Sequence, residues 1–81
     1  MNCKNKSELF AEYLKNNGGT EIYIVTIQHD SDEYSHEFVE WNGTYYDACN
    51  NNELSYSVSK QNYMNELHNI GFNGVSVQSP F

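Results

Sequence analysis

The side chains best suited to nucleophilic chemistry in this chain are Cys49 and His36, which a predicted hairpin places on one face. A thiol beside an imidazole can act as a nucleophile activated by a general base. Such a site also needs a third group that orients the base and a pocket that holds the substrate. Glu40 and Asp47 are available by type, but a small meander of strands offers little concavity. We therefore expect no enzyme and assign no catalytic residue.

Metal binding is the second chemical possibility, because five potential ligands lie close together in the sequence. They are His29, Asp30, Asp32, Glu33 and His36. Asp30 and Asp32 have the spacing that begins a calcium loop, but its sixth position would be Ser35 instead of Gly and its twelfth Trp41 instead of Glu. A structural zinc site needs four nitrogen or sulfur ligands at short spacing, which this pattern does not supply. The sequence predicts neither a metal nor a cofactor.

Composition decides which partners suit the chain. Eighty-one residues form one small domain, in which eleven acidic residues against four lysines and no arginine give a net charge of −7. Direct contact with nucleic acid or an anionic membrane is disfavoured, because both need cations on the protein. No apolar run approaches the roughly 18 residues of a membrane span, and no signal-peptide core follows Met1. With two cysteines only, we expect reduced thiols in a cytoplasm, that of the host cell if a phage encodes the protein.

Two helices should flank a set of strands. Residues 1–6 are polar and expected to fray, after which Asn5 or Ser7 caps a helix that stops at the Asn/Gly run of residues 16–19. Its apolar positions are Leu9, Phe10, Tyr13 and Leu14. A second helix follows Ser59 and is closed by Gly71. Its apolar positions are Tyr63, Met64, Leu67 and Ile70.

The clearest strand signal is the hairpin around Asn42 and Gly43, which both tolerate the positive φ of a type I′ turn. This turn sets Trp41 opposite Thr44 and Glu40 opposite Tyr45. Residues 20–28 are apolar on both faces and predict an interior strand. Residues 53–58 predict a further strand, and residues 75–77 are a candidate short edge strand.

The register sorts the hairpin side chains into two faces. The expected core face carries Val39, Trp41, Tyr46 and Ala48. The opposite face is expected to be mixed and wet, and carries His36, Phe38, Glu40, Tyr45, Asp47 and Cys49. The prediction is an α+β fold, with a four-stranded antiparallel meander, a candidate fifth strand, and both helices packed on one face.

Acidic residues are concentrated where lysines are absent. Residues 16–59 hold eight acids and no lysine, so they form either a solvated surface that favours solubility or a docking face for a basic partner. Tyrosines near the acids would supply contact area, as they do at many interfaces. The candidate partner-binding residues are Asp30, Asp32, Glu33, Tyr34, Glu40, Tyr45, Asp47 and Glu53.

In size, acidity and helix-plus-meander outline, the chain resembles small phage-encoded anti-CRISPR proteins and DNA-mimic inhibitors. The resemblance covers the whole chain as an outline and includes no shared motif, so it assigns no residue. It implies a non-enzymatic inhibitor that docks on a basic, nucleic-acid-binding surface of a partner, such as a CRISPR effector or another nuclease complex. The alternative is a small accessory or immunity-type subunit that binds through apolar helix faces or an edge strand.

Overall fold

A computed structural model describes residues 2–47, 57–58 and 60–81, with the backbone alone at 57–58. Its elements are α1 (Cys3–Asn16), β1 (Ile22–Gln28), β2 (Ser35–Trp41), β3 (Thr44–Tyr46), β4 (Ser57–Val58), α2 (Lys60–Asn69) and β5 (Ser76–Pro80). The strands form one antiparallel sheet in the order β4-β3-β2-β1-β5. The α+β class and the meander are confirmed. The candidate fifth strand is β5, which pairs with β1 and makes β1 an interior strand as its two apolar faces predicted.

The hairpin forms with the predicted register. Asn42 and Gly43 have φ values of 52° and 76°, which is the left-handed backbone that a type I′ turn requires. Trp41 pairs with Thr44 and Glu40 with Tyr45. The predicted strand residues 53–56, the helix cap at Ser59 and the candidate binding residue Glu53 lie outside the described residues.

Helix α1 begins earlier than the sequence suggested. Asn2 is its N-cap, and the side-chain Oδ1 of Asn2 accepts a hydrogen bond of 2.8 Å from the backbone N–H of Asn5. Residues 3–6 are therefore helical, and the expectation that they fray is wrong, because the Asn2 cap satisfies one of the free N–H groups of the first turn and stabilises it. The helix ends as predicted, with Gly18 in the left-handed region at φ 85°.

The two helices cover opposite faces of the sheet, so the expectation that both pack on one face is wrong. Helix α1 packs on the first face, whose cluster is Phe10, Ala11, Leu14, Ile22 and Val39. Helix α2 packs on the second face, whose cluster is Val25, Ile27, Phe38, Tyr63 and Leu67. Phe38 and Val39 are consecutive residues, point to opposite faces and are both 0% exposed. A sheet that is apolar on both faces needs a cover on each, and a single helix layer leaves one of them wet.

Cys3 at the start of α1 is disulfide-bonded. The chain contains one other cysteine, Cys49, which lies outside the described residues. The expectation of a reduced thiol is therefore wrong for Cys3. Neither described helix is long and apolar enough to cross a membrane.

Candidate functional site: a polar pocket beside an acidic loop

A pocket of about 240 Å³ opens between α2 and the second face of the sheet. Its lining comes from β2, from the residue after β3, from α2 and from the segment that follows α2. The lining residues are His36, Asp47, Tyr63, Glu66, Leu67, Ile70 and Phe72.

The floor of the pocket is a hydrogen-bonded cluster of three side chains. The Asp47 carboxylate oxygen Oδ2 accepts from the Tyr63 hydroxyl and from His36 Nε2, which lies 2.8 Å away. His36 Nε2 also lies 3.1 Å from the Tyr63 hydroxyl oxygen. Asp47 and Tyr63 are 4% and 3% exposed, so these bonds replace water that the carboxylate has lost. The cluster fixes a carboxylate at the base of the pocket.

One wall of the pocket is apolar and its mouth carries a second carboxylate. Positions 63, 66 and 67 fall on one side of α2 because residues three and four apart share a helix face, and Ile70 follows directly after the helix. Leu67 is buried, Phe72 is half-buried and Ile70 is 64% exposed. Glu66 is exposed and makes no hydrogen bond or ion pair with the described residues. Negative charge and apolar surface therefore meet in one small space.

Glu40 and Asp47 are not part of an exposed docking face, which corrects the prediction for both. Glu40 is 8% exposed, its Oε2 accepts from Lys60 Nζ at 2.9 Å, and its Oε1 accepts from Gln78 Nε2 at 3.1 Å. The hydrogen bond to Glu40 raises the pKa of Lys60. Helix α2 covers this face and brings Lys60 to Glu40 as a counter-charge, while Gln78 of β5 adds an amide donor.

Tyr45 is half-buried on the same covered face, so the prediction of an exposed contact residue is wrong for it as well. The ring lies 5.6 Å from the Lys60 ammonium, measured from the ring centre, which is a cation–π distance. Burial, and after it the charge of Glu40, raises the pKa of the Tyr45 hydroxyl. Its role is in packing beside Phe38, whose ring centre lies 4.9 Å away.

The other candidate binding residues that the structure describes are exposed and close together in the chain. Asp30, Asp32, Glu33 and Tyr34 lie in the connection between β1 and β2, and we call residues 30–34 the acidic loop. Tyr34 is 52% exposed. Asp32 has a φ of 61°, a left-handed conformation that Asp and Asn adopt more readily than most residues. The structure thus brings together half of the eight predicted residues.

The acidic loop is held in place by the segment after α2. The His29 ring stacks on Tyr34 at 4.4 Å and meets the edge of Phe72 at 4.8 Å, both measured between ring centres. Asp30 accepts a hydrogen bond of 2.9 Å from the Asn73 side chain, and its backbone N–H donates to Gly71 O at 2.8 Å. Because Phe72 also lines the pocket, the loop and the pocket share one wall.

His29 joins the loop to the end of α2 through both ring nitrogens. Its Nδ1 accepts from the Ser31 backbone N–H at 3.1 Å, and Nε2 donates to the Ile70 carbonyl at 3.2 Å. Gly71, at φ 99°, passes directly beneath this ring, where a Cβ would collide with the imidazole. A glycine is required there for the loop to dock.

Electrostatics on the first face differ from those of the pocket. Glu37 of β2 is half-buried there, and burial followed by the charge of Glu8 raises its pKa. Lys4 opposes the rise and His36 opposes it less. Glu37 accordingly lies away from the acidic loop and adds no exposed charge to it.

The sequence did not predict the role that three of the pocket residues have in the structure. His36 was paired with Cys49 as a possible base, Tyr63 was placed in an apolar stripe, and Glu66 was not singled out. The available signal was the helical spacing of Tyr63, Glu66 and Ile70, which sets polar groups within an apolar stripe. The strand residues they meet, His36 and Asp47, could not be identified from spacing alone.

Among residues 2–47 and 60–81, no group of three or more His, Cys, Asp or Glu side chains is arranged to hold a metal ion. No protein-family model, curated protein or solved structure matches the chain. The function has to be argued from the pocket and the acidic loop themselves.

Proposed function

We propose that this protein is a non-enzymatic, acidic binding module that docks on a basic, nucleic-acid-binding surface of a partner protein and blocks it. The supporting observation is the acidic loop, in which three exposed carboxylates adjoin Tyr34, whose ring stacks on His29, and the Asp30 carboxylate accepts from Asn73. A loop whose backbone is bonded in place, as Asp30 is to Gly71, loses little freedom on binding, so more of its attraction is available to the complex.

The charge of the whole chain supports the same partner class. A net charge of −7 creates a field that attracts a basic surface and speeds the encounter. Spaced carboxylates present to a basic channel the kind of negative charge that phosphates present. A CRISPR effector or another nuclease complex has such a channel, which agrees with the outline resemblance to DNA-mimic inhibitors.

A cytoplasm is the compartment in which we propose that the docking occurs, because nucleic-acid-handling enzymes work there. Disulfides are rare in reducing compartments, and Cys3 is disulfide-bonded. The proposal therefore requires that docking survives reduction of this bond. Binding measured with and without a thiol reductant tests that requirement directly.

Two variants that lose the same number of charges test docking through the acidic loop. The loop variant carries Asp30→Asn, Asp32→Asn and Glu33→Gln. The control variant carries Glu8→Gln, Glu12→Gln and Glu21→Gln, which are exposed acids outside the loop. Both variants lose three negative charges, and Asn at position 30 keeps an oxygen that accepts from Asn73. Any difference between them reports position and not net charge.

Each protein is immobilised, exposed to a nuclease-treated bacterial lysate, and washed at about 50 and 500 mM salt, which spans strong to weak screening. We expect the wild type and the control to retain a basic nucleic-acid-binding protein at low salt and release it at high salt. The captured protein should then lose its DNA in a gel-shift assay when wild type is added. The loop variant should compete about 3- to 150-fold less well, from roughly 0.2–1 kcal/mol for each of three exposed charge pairs. Equal competition by the loop and control variants would refute docking through the acidic loop.

An accessory subunit that binds through its sheet edge is a second candidate, favoured by β5. Every residue of this edge strand is exposed; Val77 within it is 53% exposed, and Val75 just before it is 74% exposed. An edge strand presents unpaired backbone groups to another chain. Association through it would persist at high salt, because apolar contacts are not weakened by screening. Salt-resistant capture by both variants supports this second candidate.

A further inference from the structure

The pocket beside the acidic loop is suited to positive charge. Among the residues that the structure describes, its lining contains two carboxyl groups, Asp47 and Glu66, against one histidine and no lysine, so this lining is negative whether or not His36 is protonated. Lys60 lies at the other end of α2, where it is bound to Glu40. Anions are disfavoured by this lining, and an uncharged apolar group would leave the Glu66 carboxylate without a counter-charge.

The dimensions of the pocket indicate one side chain as its occupant. About 240 Å³ is below the roughly 300–1,000 Å³ of pockets that enclose drug-sized ligands. Leu67, Ile70 and Phe72 provide an apolar wall for a methylene stem, while the acids provide a seat for a charged head. Arg and Lys combine these two parts, since both bury their stems along apolar surface and keep a cationic tip.

We propose that this pocket binds the guanidinium or ammonium group of one basic side chain from the partner, with Glu66 at its mouth, the Asp47 cluster at its floor and Phe72 along the stem. This proposal rests on the proposed function, since it names the partner side chain that the pocket would hold when the acidic loop docks. The open carboxylate of Glu66 is the group on which a bidentate guanidinium contact would form. The ring of Phe72 lies between this anchor and the acidic loop, so both would engage the same partner surface.

Small probes test the pocket without knowledge of the partner. Propylguanidinium and propylammonium, as chlorides, are titrated into ¹⁵N-labelled protein, with 1-butanol and propionate as uncharged and anionic controls. We expect saturable shifts in the amides of His36, Tyr63, Glu66, Ile70 and Phe72, with a dissociation constant on the order of 1–10 mM, as suits a fragment of this size. Ionic strength is kept constant with sodium chloride so that general screening does not change.

A matched pair of glutamate variants locates the binding. Glu66→Gln removes the charge at the mouth, and Glu12→Gln removes an exposed charge from α1 on the other side of the sheet. Glu66→Gln should weaken guanidinium binding about two- to five-fold, the range of an exposed ion pair, while Glu12→Gln leaves it unchanged. Both side chains are exposed, so neither substitution threatens the fold.

Several results would overturn the pocket proposal. One is that the amide shifts do not saturate up to about 100 mM probe, well above the expected dissociation constant. Another is that amides near every surface acid shift, and not those of the pocket alone. The others are that 1-butanol binds equally well and that the two variants have equal effects. Its failure differs from that of the docking proposal. Loop-dependent capture without probe binding refutes the pocket alone, whereas probe binding with equal capture by the loop and control variants refutes docking through the acidic loop alone.

Discussion

Replacing Tyr63 by Phe isolates the hydroxyl that the pocket floor depends on. The Tyr63 ring packs edge-on against Phe38, with centres 5.0 Å apart and planes at 83°, and against Tyr45 at 6.0 Å and 70°. Phe keeps the ring and these contacts. The substitution removes only the hydroxyl that donates to Asp47 and lies 3.1 Å from His36 Nε2.

The expected loss follows from the burial of the acceptor. A hydrogen bond to a charged group contributes about 1.5–3 kcal/mol to stability. Asp47 is 4% exposed, so water does not replace the lost donor, but His36 remains bound to it at 2.8 Å. The cost is therefore that of one bond and not the roughly 3–5 kcal/mol of an unpaired buried charge. For a domain of this size, it lowers Tm by about 6–20 °C.

The assay is urea unfolding followed by circular dichroism, with Tyr13→Phe as the control. Tyr13 is 62% exposed, so its variant should stay within about 0.5 kcal/mol of the wild type. If Tyr63→Phe were equally neutral, the hydroxyl would not be bonded to Asp47 in solution. The description of the pocket floor would then be wrong.

Three further predictions concern charge and covalent linkage. Burial raises the pKa of Glu37, so ionisation of this carboxyl destabilises the fold as pH rises above the usual 4.5. The Glu37→Gln variant should therefore have a higher Tm than the wild type at pH 7. In thermal melts at lower pH, this difference in Tm should vanish near pH 4. The raised pKa of Lys60 means that its pairing with Glu40 stabilises the fold below the usual 10.5 and is lost as pH rises through the folded-state value. Lys60→Met should cost about 0.5–1 kcal/mol at pH 7 by urea unfolding and progressively less as pH rises above 10.5, whereas an unchanged cost would refute the pairing. Cys3 is disulfide-bonded, and a disulfide contributes about 2–4 kcal/mol to stability, so Cys3→Ser should lower Tm in oxidising buffer and match the wild type in reductant.

Local chemistry explains why some of the fold could be predicted. The hairpin follows from Asn42 and Gly43, because both adopt positive φ at little cost and a two-residue loop leaves one register. The interior position of β1 follows from its apolar residues on both faces. In each case the determining groups lie within a few residues of one another.

The covered second face could not be predicted for the opposite reason. Glu40 and Asp47 share a face with Phe38, and such a mixed face is interpreted as solvent-exposed when the hairpin is considered alone. Lys60 lies twenty positions from Glu40 and pairs with it, and Tyr63 lies sixteen positions from Asp47 and donates to it. A carboxylate becomes compatible with burial only when such partners arrive, and strand periodicity carries no information about them.

The internal use of Glu40 and Asp47 changes what the proposed docking can be. A sheet face would offer a partner a broad contact, whereas the acidic loop and the pocket mouth form one end of a small domain. A contact of this kind falls among small interfaces, below about 1,200 Å², where affinity depends on a few desolvated anchors. Exposed loop charges mainly raise the association rate, and a filled pocket mainly lowers the dissociation rate. In surface plasmon resonance against the captured partner, the loop variant should therefore lower the association rate, and Glu66→Gln should raise the dissociation rate. The reverse assignment would mean that the loop, and not the pocket, is the anchor.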